Sequence, residues 1–269
     1  MSGPGPVRTV AGAVGAAAAR TWPPVLLSVV LVAGWELVVR AGAVPPFVLP
    51  APSQVVRTAV EIGPLLGGHV TTTLTEAALG LACGVVAGLV IALATAAWPG
   101  AGRAVLPLLT VTQTVPTVVL APLLLLWAGF GLAPKVVVVA LTVFFPVLVS
   151  AASAMRAVAE EHGDMVLGLG GTRSDVLRLV RVPAAVPGAL AGLRIAATYA
   201  IGAAVVSEYL AGTSGLGVLI QRARKSYDVD QIFVAIAVIA VLTAALFVVV
   251  DALCRAATPW QRRPTVPTS

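Results

Sequence analysis

Long stretches of this chain carry no charge. Residues 77–102, 104–134, 136–150 and beyond, and 231–250 lack Asp, Glu, Lys and Arg, and each is near or above the roughly 20 residues a helix needs to cross a bilayer core. Membrane-spanning strands would need only about half that length and would alternate apolar with polar side chains, a pattern absent here. Hydrophobic residues make up 59% of the chain and charged ones 10%, more apolar surface than one soluble domain of 269 residues could bury. The sequence therefore reads as an all-α integral membrane protein.

Six spans are expected, at residues 23–39, 70–98, 105–128, 136–155, 186–210 and 232–254. They form a transmembrane domain over 23–254, between tails at 1–22 and 255–269. Residues 1–19 are rich in Gly, Ala and Pro without apolar periodicity and read as a disordered or interfacial tail. A signal peptide competes for the first span, because Arg8 and Arg20 precede it and Ala41-Gly42-Ala43 resembles a cleavage site; Glu36 and Arg40 lie too close to that site for it to prevail. Residues 45–64 read as a proline-rich outer loop with a short surface helix around Arg57 and Glu61. Two polar loops remain, at 156–181 and 212–230. With six spans both termini share a side, and placing them inside puts eleven of the seventeen Lys and Arg residues inside. That asymmetry favours cytoplasmic termini, against the outer cluster Arg222, Arg224 and Lys225.

The net charge of +6 flanks the spans rather than forming a basic domain, so topology and not nucleic acid accounts for it. Cys83 and Cys254 lie far apart in apolar runs with no metal-ligand spacing and read as packing residues. His69 and His162 fall on opposite sides of the expected topology, which leaves no convergent catalytic set. No Walker motif occurs, and Gly215-Leu216-Gly217 has neither the preceding strand nor the following Lys-Ser/Thr of a phosphate loop. The chain cannot hydrolyse ATP alone.

The polar island at 156–183 carries the strongest local pattern. Gly168, Gly170 and Gly171 break it between two helical segments, and Thr172 with Asp175 three residues on has the form of a capping box. The following segment should place Val176, Leu177, Leu179 and Val180 on one side, Arg173, Arg178 and Arg181 on others, and end at Pro183. A plain amphipathic surface helix would give the same pattern.

The spacing of Asp164, Gly170 six residues later and Pro183 thirteen after that resembles the cytoplasmic coupling loop of binding-protein-dependent ABC importer permeases. Met165 and Val166 stand where the family has two alanines, and Val180 and Val182 where it has Ile and Leu. Glu76-Ala77-Ala78 matches the family's opening letters but lacks the glycine and lies within a span. Further similarity runs through Gln113-Thr114-Val115-Pro116, Ala121-Pro122, Trp127 to Gly131, Pro134-Lys135, Phe144-Phe145-Pro146, Pro183 with Pro187, Gly192-Leu193-Arg194, Glu208 and Gly215-Leu216-Gly217. These look like the permeases that import nitrate, sulfonates, taurine and pyrimidine precursors. Gln113-Thr114, the run from Leu193 to Tyr199 and Phe233 to Ile236 look most like permeases for thiamine-precursor hydroxymethylpyrimidines.

The resemblance implies a type I ABC importer permease fold in a bacterial inner membrane, with a coupling-helix hairpin formed by Asp164, Gly168, Gly170, Gly171, Arg173, Asp175 and Pro183. It implies a homodimer, a cytoplasmic ABC ATPase dimer that supplies ATP and Mg, and an outer solute-binding protein; the chain itself would bind no cofactor or metal and catalyse no reaction. Alternating access would follow from ATP-driven movement of the hairpins.

Gln113, Thr114 and Pro116 fall within the third expected span, where proline frees a carbonyl and polar groups can line a pathway or bond between helices. Glu208, near the outer end of the fifth span, reads as a gate or anchor before a substrate contact, or as a residue snorkelling to the interface. Glu36 and Glu76 read as interfacial, Asp251 as a partner for Arg255, and the five tryptophans mostly as belt residues. A secondary transporter coupling protons through Glu76 and Glu208 is the rival reading.

Overall fold

Apolar length decides where the long helices lie. The computed structural model describes residues 10–129, 131–158 and 160–261; Phe130, Arg8, Arg262 and Arg263, used in the motifs and charge count above, fall outside them. Eleven α-helices run in order: α1 (Val10–Arg40), α2 (Pro52–Glu61), α3 (Gly63–Ala97), α4 (Pro99–Thr112), α5 (Thr117–Ala128), α6 (Leu132–Arg156), α7 (Glu160–Gly168), α8 (Arg173–Asp175), α9 (Val182–Ala211), α10 (Leu216–Lys225) and α11 (Val229–Ala257).

Four stretches among the described residues are long and apolar enough to cross a membrane: Gly63–Ala97, Leu132–Arg156, Arg173–Leu210 and Val229–Ala257. They contain the expected second, fourth, fifth and sixth spans. The first expected span lies inside α1, which starts at Val10 and so makes helix of much of the segment read as a structureless tail. The third is not one helix. It divides into α4 and α5 around Gln113–Pro116, because Pro116 has no amide to continue the ladder and the chain turns there through short-range bonds such as Thr114 N–H to Val111 O at 3.0 Å.

The core is built around α6, with α3 on one side and α9 on the other. Without water to drive association, spans pack by close approach, and glycines on both neighbours permit it. Gly80, Gly84 and Gly88 recur every fourth residue on α3; a Cβ at Gly84 would lie 2.4 Å from Val143 Cγ2 and 2.7 Å from the Ala140 carbonyl. On the opposite flank, a Cβ at Gly192 of α9 would sit 2.8 Å from the Pro146 carbonyl of α6. Val139, Val143, Val147, Ala196, Ala200 and Ile201 fill the space between.

Two short amphipathic helices close the end away from the hairpin. Glu36 accepts bonds from Ser53 N–H at 3.0 Å and Ser53 Oγ at 2.7 Å, so it caps α2 as well as pairing with Arg40. The 212–230 segment, read from sequence as a loop, contains α10. Its Leu216, Leu219 and Ala223 are buried, giving it an apolar face that packs on α9 and α11.

Pro183 does not end the second arm of the hairpin. The helix runs without interruption from Arg173 to Leu210. A π-helical stretch over Val176–Arg181 directly precedes the proline, widening the helix where the ring would otherwise meet the carbonyl four residues back. The extra residue per turn also rotates the apolar pattern: Val176 is buried, whereas Leu179, expected beside it, is 68% exposed.

Candidate functional site

Three constellations lie along the bundle. At the α10 end, α3 presents His69, Thr73 and Glu76 at helical spacing, all buried. The first amides of α10 have no intrahelical partners, and side chains from α3 and α9 meet them. Gly215 N–H donates to His69 Nδ1 at 3.0 Å, Leu216 N–H to Thr73 Oγ1 at 3.0 Å and Gly217 N–H to Glu208 Oε2 at 2.7 Å. Thr73 Oγ1 in turn donates to Glu208 Oε1 at 2.6 Å. Glu208 is fully buried rather than snorkelling, and it bonds to the start of α10, its carboxylate set against the positive end of that helix. Gly215, at φ +112°, brings the backbone so close that a Cβ would overlap the Glu208 carboxyl.

One turn along α3, Glu76 Oε1 accepts from Lys135 Nζ at 2.6 Å, with both side chains over nine-tenths buried. The pair lies in the α3–α6 interface, where Lys135, a residue of α6, offsets a carboxylate that also lies within electrostatic reach of Glu208. Residues 69, 73 and 76 share one helix face, a signal available in the sequence; the partner 59 positions away was not.

The second constellation is a cleft of about 340 Å³ where α5, α6 and α9 meet, lined by Pro116, Thr142, Thr198, Tyr199 and small or apolar side chains. Irregular backbone at mid-span is tolerable where it lines a cavity, and the α4–α5 break places Pro116 there. Gln113 and Thr114 are exposed beside it, Thr114 Oγ1 donating to the Val111 carbonyl at 2.8 Å. Among the described residues no charged side chain lines this cleft. Arg194, four residues before Thr198, pairs with Asp251 at 2.8 Å, and Asp251 also holds Arg255 as expected.

The third is the hairpin of α7 and α8. Gly171 N–H donates to Val166 O at 3.0 Å and Gly170 N–H to Leu167 O at 3.0 Å, the two bonds of a Schellman cap, with Gly170 at φ +86°. Thr172 then starts α8 through the expected capping box: its N–H donates to Asp175 Oδ2 at 2.7 Å and its Oγ1 accepts from Asp175 N–H at 3.3 Å. Gly168 is the last residue of α7, while Asp164 lies within that helix. Met165, Leu167 and Leu169 are exposed around the turn, Leu169 to 80%. Arg173 lies on the flank of this tip, and Pro183 continues into α9.

The break between α4 and α5 thus stands beside the uncharged cleft, and the capped hairpin leads into the same long helix that carries Thr198 and Tyr199. The profile of the family described as "Binding-protein-dependent transport system inner membrane component" matches residues 84–263. The chain belongs to this family. The permease is 36% identical to the riboflavin transport system permease protein RibX of Chloroflexus aurantiacus, over 89% of this chain and 91% of that one. It is 30% identical to the formylaminopyrimidine transport permease protein ThiX of Halalkalibacterium halodurans, over 89% and 96%. It is 32% identical to the taurine transport system permease protein TauC of Escherichia coli, over 86% of each. In fold, the permease superposes on an inward-facing structure of the MetNI methionine ABC transporter with a TM-score of 0.60 at 18% identity, covering 72% of this chain and 97% of that one. It is thus an ABC importer permease subunit of the type I fold.

Proposed function

We propose that the permease imports a neutral heteroaromatic solute, a pyrimidine precursor of thiamine, as a homodimer of six-span subunits. A solute-binding protein delivers the cargo outside and a pair of cytoplasmic ATPase domains drives transport. The observation that carries the substrate class is the uncharged cleft: an aromatic ring from Tyr199 and hydroxyls from Thr142 and Thr198 suit a flat polar ring, which stacks and hydrogen-bonds. A sulfonate would call for a free cation or a helix N-terminus in the pathway, and both Lys135 and Arg194 are held by carboxylates. The 30% identity to ThiX supports the same class.

The exposed Met165, Leu167 and Leu169 give the hairpin an apolar tip with Asp164 and Arg173 beside it, the composition of a docking surface for the ATPase. On this reading ATP-driven closure of the motors moves the hairpins and opens the pathway outward; hydrolysis returns it inward. Gln113, Thr114 and Pro116 shape the pathway, and Glu208 holds the outer closure.

Growth tests the substrate. Expression of the permease with its ATPase and solute-binding protein should rescue a strain that cannot make the thiamine pyrimidine when given the precursor at limiting concentration, and should not rescue a strain requiring a sulfonate as its sulfur source. The reverse pattern would replace the pyrimidine with a sulfonate. Orientation is tested by single cysteines at Ser174 and Ser226, with Cys83 and Cys254 removed. An impermeant maleimide should label Ser226→Cys in intact cells and Ser174→Cys only after lysis. Labelling of both in intact cells would reverse the hairpin's assignment to the cytoplasm.

A further inference from the structure

A second cleft, of about 590 Å³, opens at the hairpin end between the close of α3, the start of α4, the close of α6 and the segment leading into α9. Three arginines line it: Arg103 from α4, Arg156 from α6 and Arg181 from the π-helical stretch. Among the described residues no acidic side chain lines the cleft, and none of the three guanidiniums has a carboxylate within ion-pair distance. Their positions are set by the fold. Arg181 Nη1 donates to the Ala96 carbonyl at 3.5 Å, at the last turn of α3, and Arg156 Nη2 donates to Ser153 Oγ at 3.2 Å. Gly102 is buried against Thr95, which keeps Arg103 close to that same turn.

Apart from Thr95 the rest of the lining is apolar or glycine, with Leu106, Ala152 and Met155 among it, so the cleft is cationic where the arginines stand and greasy beside them. Trp98, 67% exposed in the α3–α4 connection, marks the height of the membrane interface. We infer that this cleft is a binding site for the phosphate headgroup of an anionic phospholipid. Arginines recognise phosphate oxygens with paired donors, and the apolar wall receives the glycerol end that a free phosphate lacks. A basic pocket between spans at a membrane surface is the setting in which such headgroups bind. The inference uses the membrane placement of the spans and not the transported solute; only the choice of leaflet depends on the orientation proposed above.

The test is native mass spectrometry of the full-length permease in neutral detergent, titrated with phosphatidylglycerol or phosphatidylcholine of matched chains. Wild type should retain phosphatidylglycerol preferentially. Arg103→Gln with Arg156→Gln should weaken that retention about 25-fold, roughly fivefold for each interfacial cation removed. Arg181 is left in place because it also supports α3. Arg103→Lys with Arg156→Lys, which keeps the charge but not the paired donors, should bind more tightly than the glutamine pair and less tightly than wild type, and reports that the fold is intact. Equal retention of the two lipids by wild type would overturn the site. So would displacement of bound phosphatidylglycerol by millimolar inorganic pyrophosphate, since that outcome assigns the cleft to a soluble phosphate compound. If the double glutamine variant keeps its lipid but loses assembly with the ATPase, the arginines form a protein contact and the lipid proposal falls.

Discussion

Lys135→Met should destabilise the permease by about 3–5 kcal/mol, the usual penalty for leaving one member of a buried ion pair uncompensated. The side chains of Lys135 and Glu76 are 7% and 1% exposed and 2.6 Å apart. Methionine matches the length of lysine, so packing between α3 and α6 is largely kept and the loss is electrostatic. The Glu76 carboxylate then stands unpaired between two spans, with Glu208 within electrostatic reach. Thermal unfolding of the detergent-purified protein, followed by the loss of its monodisperse gel-filtration peak, reads the effect. Glu76→Gln combined with Lys135→Met removes both charges and should restore most of the lost stability, since a buried pair can often be exchanged for neutral groups at little cost. A double variant as unstable as Lys135→Met alone would show that the lysine acts through its packing and not through the pair.

Gly170→Pro should abolish substrate-stimulated ATP hydrolysis and transport by the assembled complex in liposomes, while leaving the spans inserted. The turn needs φ near +86° at this residue and an amide donated to Leu167; proline fixes φ near −65° and has no amide. Both bonds that close α7 are disturbed, and the apolar tip around Leu169 is re-aimed. The damage stays local because a Cβ at Gly170 would meet nothing within 4 Å. Gly170→Ala keeps the donor and pays only the left-handed strain, about 1 kcal/mol, so it should retain partial coupling. Asp164→Ala should weaken docking mildly, as a surface carboxylate contributes little. Normal coupling in Gly170→Pro would return the hairpin to a surface helix with no motor contact.

Much of this was legible from residues alone, and the gaps have identifiable causes. Uninterrupted apolar length located α3, α6, α9 and α11, because the bilayer demands it of each helix separately. The Thr172 to Asp175 capping box was legible because it is made by residues three apart. The split of the third span was not, since residues 104–134 carry no charge and proline alone does not distinguish a kink from a break. Pro183 misled in the opposite sense: its local effect is to stop a helix, and the π-helical stretch before it cancels that effect. The burial of Lys135 and of Glu208 was not legible, for one reason. Hydropathy scores a charge by its own cost, whereas burial depends on partners on other helices: Glu76 for the lysine, Thr73 and the Gly217 amide for the glutamate.

The unbroken helix from Arg173 to Leu210 has a mechanical consequence. Its 38 residues make a rod of about 57 Å at 1.5 Å per residue. On it, in sequence, stand Arg173 at the hairpin, Thr198 and Tyr199 at the uncharged cleft and Glu208 at the start of α10. Twisting the hairpin end therefore turns the cleft wall and strains the Glu208 anchor together, as a crankshaft sets the phase of its cylinders. The π-helical stretch and Pro187 are the irregular points of that shaft, and both lie between the hairpin and the cleft.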